Sequence, residues 1–140
     1  MPSLSEMREG DFAEKAVVVT EELLSAFAAV SGDFNPMHMD EEYSSLSVFG
    51  RRVAHGMLPA AVVGAVLGTL LPGPGTVYLS QTLVFKAPVF IGDTVVVRAE
   101  IARKDESSAR VLLRTTARVE RGGQVLDGEA VILFRPAAGR

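Results

Sequence analysis

The chain has two histidines, and each sits beside residues that bend the backbone. The first lies in SGDFNPMH, residues 31–38, where Asp33, Asn35, Pro36 and His38 fall within six positions. An aspartate and a histidine facing one site across a turn can act as an acid–base pair, which is general acid–base chemistry. The turn has a local cause: the residue before a proline is pushed out of the α region, so Asn35-Pro36 folds the chain back. Read as ordinary structure, the same residues are a turn-forming aspartate and a surface or capping histidine, with Asn35 fixing the turn. The second histidine lies in RRVAHGMLP, residues 51–59, where His55-Gly56 opens a helical pattern. The N–H groups of a helix N-terminus are unpaired and carry positive potential, so the Gly56 backbone can receive an oxyanion. Read as structure alone, His55 is a cap and Gly56 a turn residue.

The elements that must position these groups are legible in the periodicity. Ala16–Val19 is a short β-like segment. Thr20 is an N-cap, Glu21 and Glu22 suit the first turn of a helix, and Leu23, Leu24, Phe27 and Val30 recur at helical spacing before a stop at Gly32. Asp40–Ser45 fits one or two short helical turns. From about Gly56 to Leu71 the pattern is helical and apolar all round, which predicts a central, buried helix. After it the period changes to two. Val77–Phe85, Thr94–Arg103, Val111–Glu120 and Gln124–Phe134 read as strands, with a bend in Ala87–Asp93 and a hairpin at Gly122-Gly123. One long helix followed by an antiparallel meander predicts an α+β domain in which the sheet wraps the helix.

The 140 residues suit one domain spanning 1–140, with 1–12 as a loosely ordered lead-in. With 48% hydrophobic and 22% charged residues the profile is globular. The net charge of −3 and the lack of a basic block argue against nucleic acid. The longest apolar run, Met57–Leu71, is short for a bilayer and is interrupted by Pro59, Gly64 and Gly68, so no membrane insertion is expected. No secretory signal is visible. Cysteine is absent, which excludes thiol chemistry and fits a cytoplasmic location. Without cysteine and without HxxH or HExxH spacing, no metal site is expected.

SGDFNPMHMD followed by HGML, with His55 seventeen residues after His38, resembles the (R)-specific enoyl-CoA hydratases of the MaoC-like dehydratase family. The resemblance continues through LPGPGTVYLSQTLVFKAPVFIGDTVVV and covers about Thr20 to Phe134. It implies a hot-dog fold, in which a curved antiparallel sheet wraps a long central helix. It implies (R)-specific, reversible hydration of a trans-2-enoyl thioester of coenzyme A, or of an acyl-carrier protein, to the (R)-3-hydroxyacyl thioester. Asp33 and His38 match the family's catalytic pair and the Gly56 N–H its oxyanion donor, while Asn35, Pro36 and His55 support the loops. No cofactor is implied, since the thioester itself activates the β-carbon. A homodimer with its site near the subunit interface is expected, in fatty-acid metabolism or in the supply of polyhydroxyalkanoate precursors.

Two finer expectations follow. Ala60, Gly64 and Gly68 share one helix face, and each interior glycine costs about 1 kcal/mol, so an acyl chain, the sheet or another helix comes close there; Leu67 helps close such an acyl pocket. Arg51, Arg52, Lys86 and Arg103 are the cations available for the nucleotide of coenzyme A. Two rival functions keep the fold: an acyl-CoA thioesterase, which does not need the Asp–Asn-Pro–His loop, and a non-catalytic acyl-CoA-binding subunit, which would be free to lose Asp33 and His38.

Overall fold

The computed structural model describes residues 3–138. A 3-10 turn at Leu4–Glu6 precedes strand β1 (Phe12–Val18). The lead-in expected to be loose is tied down over the described positions. Met7 is buried in the core, and the Lys104 ammonium donates to the Leu4 carbonyl at 2.9 Å. Helix α1 (Glu21–Ser31) starts where the Thr20 hydroxyl accepts the Leu23 N–H at 3.1 Å, and it stops at Gly32, whose φ of 78° is costly for any other residue. The short helix α2 (Pro36–Met39) has Asn35 as its cap and Pro36 in its first turn; α3 (Glu41–Ser45) is capped by Asp40. The long helix α4 spans Met57–Thr69.

Five further strands follow: β2 (Thr76–Gln81), β3 (Val84–Phe85), β4 (Thr94–Asp105), β5 (Arg110–Val119) and β6 (Gln124–Phe134). They form one antiparallel sheet in the order β1-β4-β5-β6-β2, with β3 also against β6. The single strand expected over Val77–Phe85 is broken at Thr82 and Leu83. There the Thr82 hydroxyl, rather than a backbone carbonyl, accepts the Glu129 N–H, and the Thr82 carbonyl lies so close to Gly128 that no side chain fits on that residue. On β5 the alternation is strict: Val111, Leu113, Ala117 and Val119 are buried, while Arg110, Arg114 and Arg118 face water.

Helix α4 packs Leu58, Val63, Val66 and Leu67 into the core formed with Val97, Ile101, Leu113 and Ile132. It touches the edge strands β1 and β2 as well as β4 and β5 between them, so the sheet bends around it in the hot-dog arrangement. The expected all-round burial does not hold. Met57, Ala61 and Thr69 are exposed, because the sheet covers only one side of the helix. Beside that open side, the edge strand β2 exposes three consecutive apolar residues, Val77, Tyr78 and Leu79.

Candidate active site

Two chain segments far apart in sequence are cross-linked by four hydrogen bonds, and the chemistry-bearing residues lie on them. The Val53 N–H donates to the Met37 carbonyl at 3.2 Å, and the Arg52 Nε–H donates to the His38 carbonyl at 2.6 Å. His38 Nδ1 lies 2.8 Å from the Val53 carbonyl, and His55 Nε2 lies 2.9 Å from the Asp33 carbonyl. A carbonyl only accepts, so Nδ1 of His38 and Nε2 of His55 carry the protons. In neutral His38 the lone pair is therefore on Nε2, and that atom lies 3.8 Å from Asp33 Oδ2. The gap is too wide for a direct hydrogen bond and suits one water oxygen in contact with both groups.

Asp33 is held locally. Its Oδ1 accepts the Asn35 N–H at 3.1 Å, and its own N–H donates to the Ser31 hydroxyl. Asn35 in turn caps α2 through the Met37 N–H. The aspartate side chain is half exposed and the His38 side chain mostly buried, so the pair sits at a boundary between water and core. His55 is 1% exposed; its ring stacks on His38 with centroids 4.1 Å apart, and Phe27 lies on it at 5.0 Å. Ligand-capable atoms of Asp33, His38 and His55 come within 4.8 Å of one another, a grouping that sequence spacing does not reveal. One nitrogen of each ring is committed to a carbonyl, and His55 Nδ1 is buried without a hydrogen-bond partner among the described residues.

Three helices carry side-chain caps, from Thr20, Asn35 and Asp40, but α4 has none. Among the described residues the N–H of Gly56, its N-cap, makes no hydrogen bond, so it stands free at a positive helix end. Gly56 has φ −57°, which any residue adopts. What the glycine supplies is room: a Cβ there would lie 3.2 Å from the Phe85 ring.

These groups open onto a cavity of about 380 Å³, lined by His38, His55 and Gly56 and by an apolar wall that includes Met37, Phe49, Val53, Pro59, Phe85 and Val125. Ala60, Gly64 and Leu67, expected around an acyl chain, do not line it. Leu67 is fully buried in the core, Ala60 packs against that core, and Gly64 faces the Tyr78 ring 3.5 Å from where its Cβ would be. At Gly68 a Cβ would meet nothing within 4 Å, so the close approach expected along this helix face is limited to ordinary contact with one β2 side chain. The apolar wall was missed because it is assembled from α2, the loop before α4, the first turn of α4, β3 and β6, elements that only the fold brings together.

The four cations expected for a nucleotide part company. Lys86 lines the cavity, and Arg51 lies with its guanidinium 3.7 Å over the Phe90 ring. Arg52 is 7% exposed, with its guanidinium on Glu21 and the His38 carbonyl, and it does not line the cavity. Arg103 lies on a separate groove with Lys104 and Arg110, by the β4–β5 hairpin. A cation that sequence reasoning passed over takes a place at the rim: Arg121 donates to the carbonyl of the cavity residue Pro88 and to both carboxylate oxygens of Asp93. Burial pushes the Asp93 carboxyl up, but hydrogen bonds from Arg121 and the Phe90 N–H, with the charges of Arg121 and Arg51, outweigh it and hold the group below its ordinary value.

Residues 6–122 match the MaoC like domain family. The chain is 44% identical over 134 residues to the (R)-specific enoyl-CoA hydratase of Rhodospirillum rubrum, covering 96% of this chain and 92% of that one. It is 44% identical over 138 residues to the 3-hydroxybutyryl-CoA dehydratase of Methylorubrum extorquens, covering 92% and 87%. The unliganded R-hydratase PhaJ1 of Pseudomonas aeruginosa superposes with a TM-score of 0.90 at 44% identity, over 95% of this chain and 85% of that one.

Proposed function

The chain belongs to the MaoC-like domain family, and from that premise we propose that it is an (R)-specific enoyl-CoA hydratase whose reaction is run by Asp33 and His38. The observation that carries the assignment of the pair is the commitment of His38 Nδ1 to the Val53 carbonyl, which leaves Nε2 and Asp33 Oδ2 3.8 Å apart, close enough for one water beside them to touch both. A water touching both groups gives its proton to His38 Nε2 as its oxygen bonds to C3 of the trans-2-enoyl thioester. The electrons of the C2=C3 bond move onto the thioester oxygen. The free Gly56 N–H at the end of α4 stabilises that oxyanion. The Asp33–His38 pair returns a proton to C2, completing the addition of water across the double bond, and the reverse sequence is dehydration.

The apolar cavity takes the acyl chain, and Arg51, Lys86 and Arg121 supply positive charge for the phosphates of coenzyme A. The thioester itself activates C3, so the reaction needs neither a metal nor a redox cofactor. The lack of cysteine supports a cytoplasmic enzyme, and among the described residues no helix is long and apolar enough to cross a membrane. The test is turnover of crotonyl-CoA, followed by loss of the conjugated-thioester absorbance with a thiol reagent in parallel. Loss without thiol, giving (R)-3-hydroxybutyryl-CoA, is the expected result. Release of thiol would turn the assignment to a thioesterase, and binding without turnover to an acyl-CoA-binding subunit.

We also propose a homodimer formed along β2. An edge strand with Val77, Tyr78 and Leu79 all exposed is an open pairing site, and it adjoins the uncovered side of α4. Light scattering should give twice the chain's mass. A monomer at micromolar concentration would exclude this assembly.

A further inference from the structure

We propose that Arg52 is a positioning residue for His38; the inference rests on the hydratase reading and adds to it a residue that never touches substrate. A guanidinium placed at 7% exposure needs partners, and Arg52 has them on Nε and Nη1 while Nη2 is buried without one among the described residues. Its Nε–H donates to the His38 carbonyl at 2.6 Å, its Nη1 donates to Glu21 at the start of α1, and Nη1 lies 3.9 Å from Glu41 of α3. One planar fork thus ties the residue bearing the imidazole to two other helices. The next residue, Val53, accepts the imidazole Nδ1–H and donates to Met37. His38 is therefore gripped at both ends by adjacent residues of one segment, its backbone by the Arg52 side chain and its ring by the Val53 carbonyl.

This arrangement separates two roles open to a cation in this position. A residue that binds the phosphates of coenzyme A acts on KM. A residue that holds His38 in the Nδ1–H tautomer, with Nε2 aimed at the water site, acts on kcat. Glu21 and Glu41 reach solvent, so removing Arg52 strands no buried carboxylate. Lysine carries the charge but only a single donor centre and cannot span the His38 carbonyl and Glu21 together.

The experiment uses Arg52→Met and Arg52→Lys in the full chain, with crotonyl-CoA kinetics and two-bond proton–nitrogen spectra of the two histidine rings. Arg52→Met should lower kcat by on the order of 10-fold or more, approaching the ~10²-fold that a misplacement of about 1 Å costs, with KM within about twofold. The His38 ring nitrogens should lose the pattern of a pure Nδ1–H tautomer. Arg52→Lys should show the same effects more weakly, and it carries both readouts if the methionine variant does not fold. A raised KM with intact kcat would show nucleotide binding instead and overturn the proposal, as would lowered kcat with an unchanged His38 pattern. If the wild-type protein does not hydrate crotonyl-CoA but the His38 pattern still shifts in the variant, the hydratase reading fails while the positioning role stands.

Discussion

Replacing His38 with asparagine should leave a folded protein with turnover lowered by about 10²–10⁴-fold. The choice of asparagine follows from the hydrogen bonds. Its amide nitrogen lies where Nδ1 of the imidazole lies, so the donation to the Val53 carbonyl can persist and the clasp between the two segments is kept. What disappears is the lone pair on Nε2, the atom that faces Asp33 Oδ2. Stability should fall by about 1–3 kcal/mol, because the substitution removes a mostly buried ring that stacks on His55. Asp33→Asn is the matching experiment: the side-chain oxygen can still accept the Asn35 N–H, so the turn survives while the carboxylate charge is lost. Circular dichroism and thermal melts establish folding, and crotonyl-CoA turnover gives the result. Near-wild-type turnover in either folded variant would remove that residue from the chemistry.

The second large effect is expected at Gly56, where proline removes the proposed oxyanion donor and alanine reports separately on the added Cβ. A proline requires φ near −65°, and Gly56 already has −57°. Proline at the start of a helix forfeits no helical hydrogen bond, and the N–H it deletes is one that pairs with nothing in the described structure. Gly56→Pro should therefore fold and lose about 10²–10³-fold in kcat, the usual cost of one oxyanion donor. Gly56→Ala is the control. It keeps the N–H but brings a Cβ to 3.2 Å from Phe85, whose half-exposed ring can yield, so its activity should stay far above that of the proline variant. Equal activity in the two variants would mean that crowding against Phe85, rather than the N–H, governs this position.

What was legible in the sequence was local. Thr20, Gly32, Asn35 and Pro36 announce a helix, its stop and a turn through their own backbone preferences, so the placement of Asp33 and His38 on one turn could be read before any fold was known. The strict alternation of β5 and the Gly122-Gly123 hairpin are equally local signals. Arg52 was not legible, because its partner Glu21 is 31 residues away and nothing in RRVAHG distinguishes an inward guanidinium from a solvated one. The open side of α4 was hidden for another reason. An apolar helix reads the same whether a sheet or a second chain covers it. Arg121 looked like one more turn residue until the fold brought it to Asp93 and Pro88.

The four hydrogen bonds that clasp residues 33–38 to residues 52–55 pin both ends of the excursion between them. A loop whose ends are fixed is cheap to lengthen, at about 0.6 kcal/mol per doubling. That excursion holds α3 and also Phe49, which forms part of the cavity wall. Insertions or exchanges between Asp40 and Gly50 can therefore reshape what the cavity accepts while the acid–base pair stays in register. Exchanges around Phe49, away from the Arg52 partner Glu41, are where the cavity wall can change with the clasp left in place.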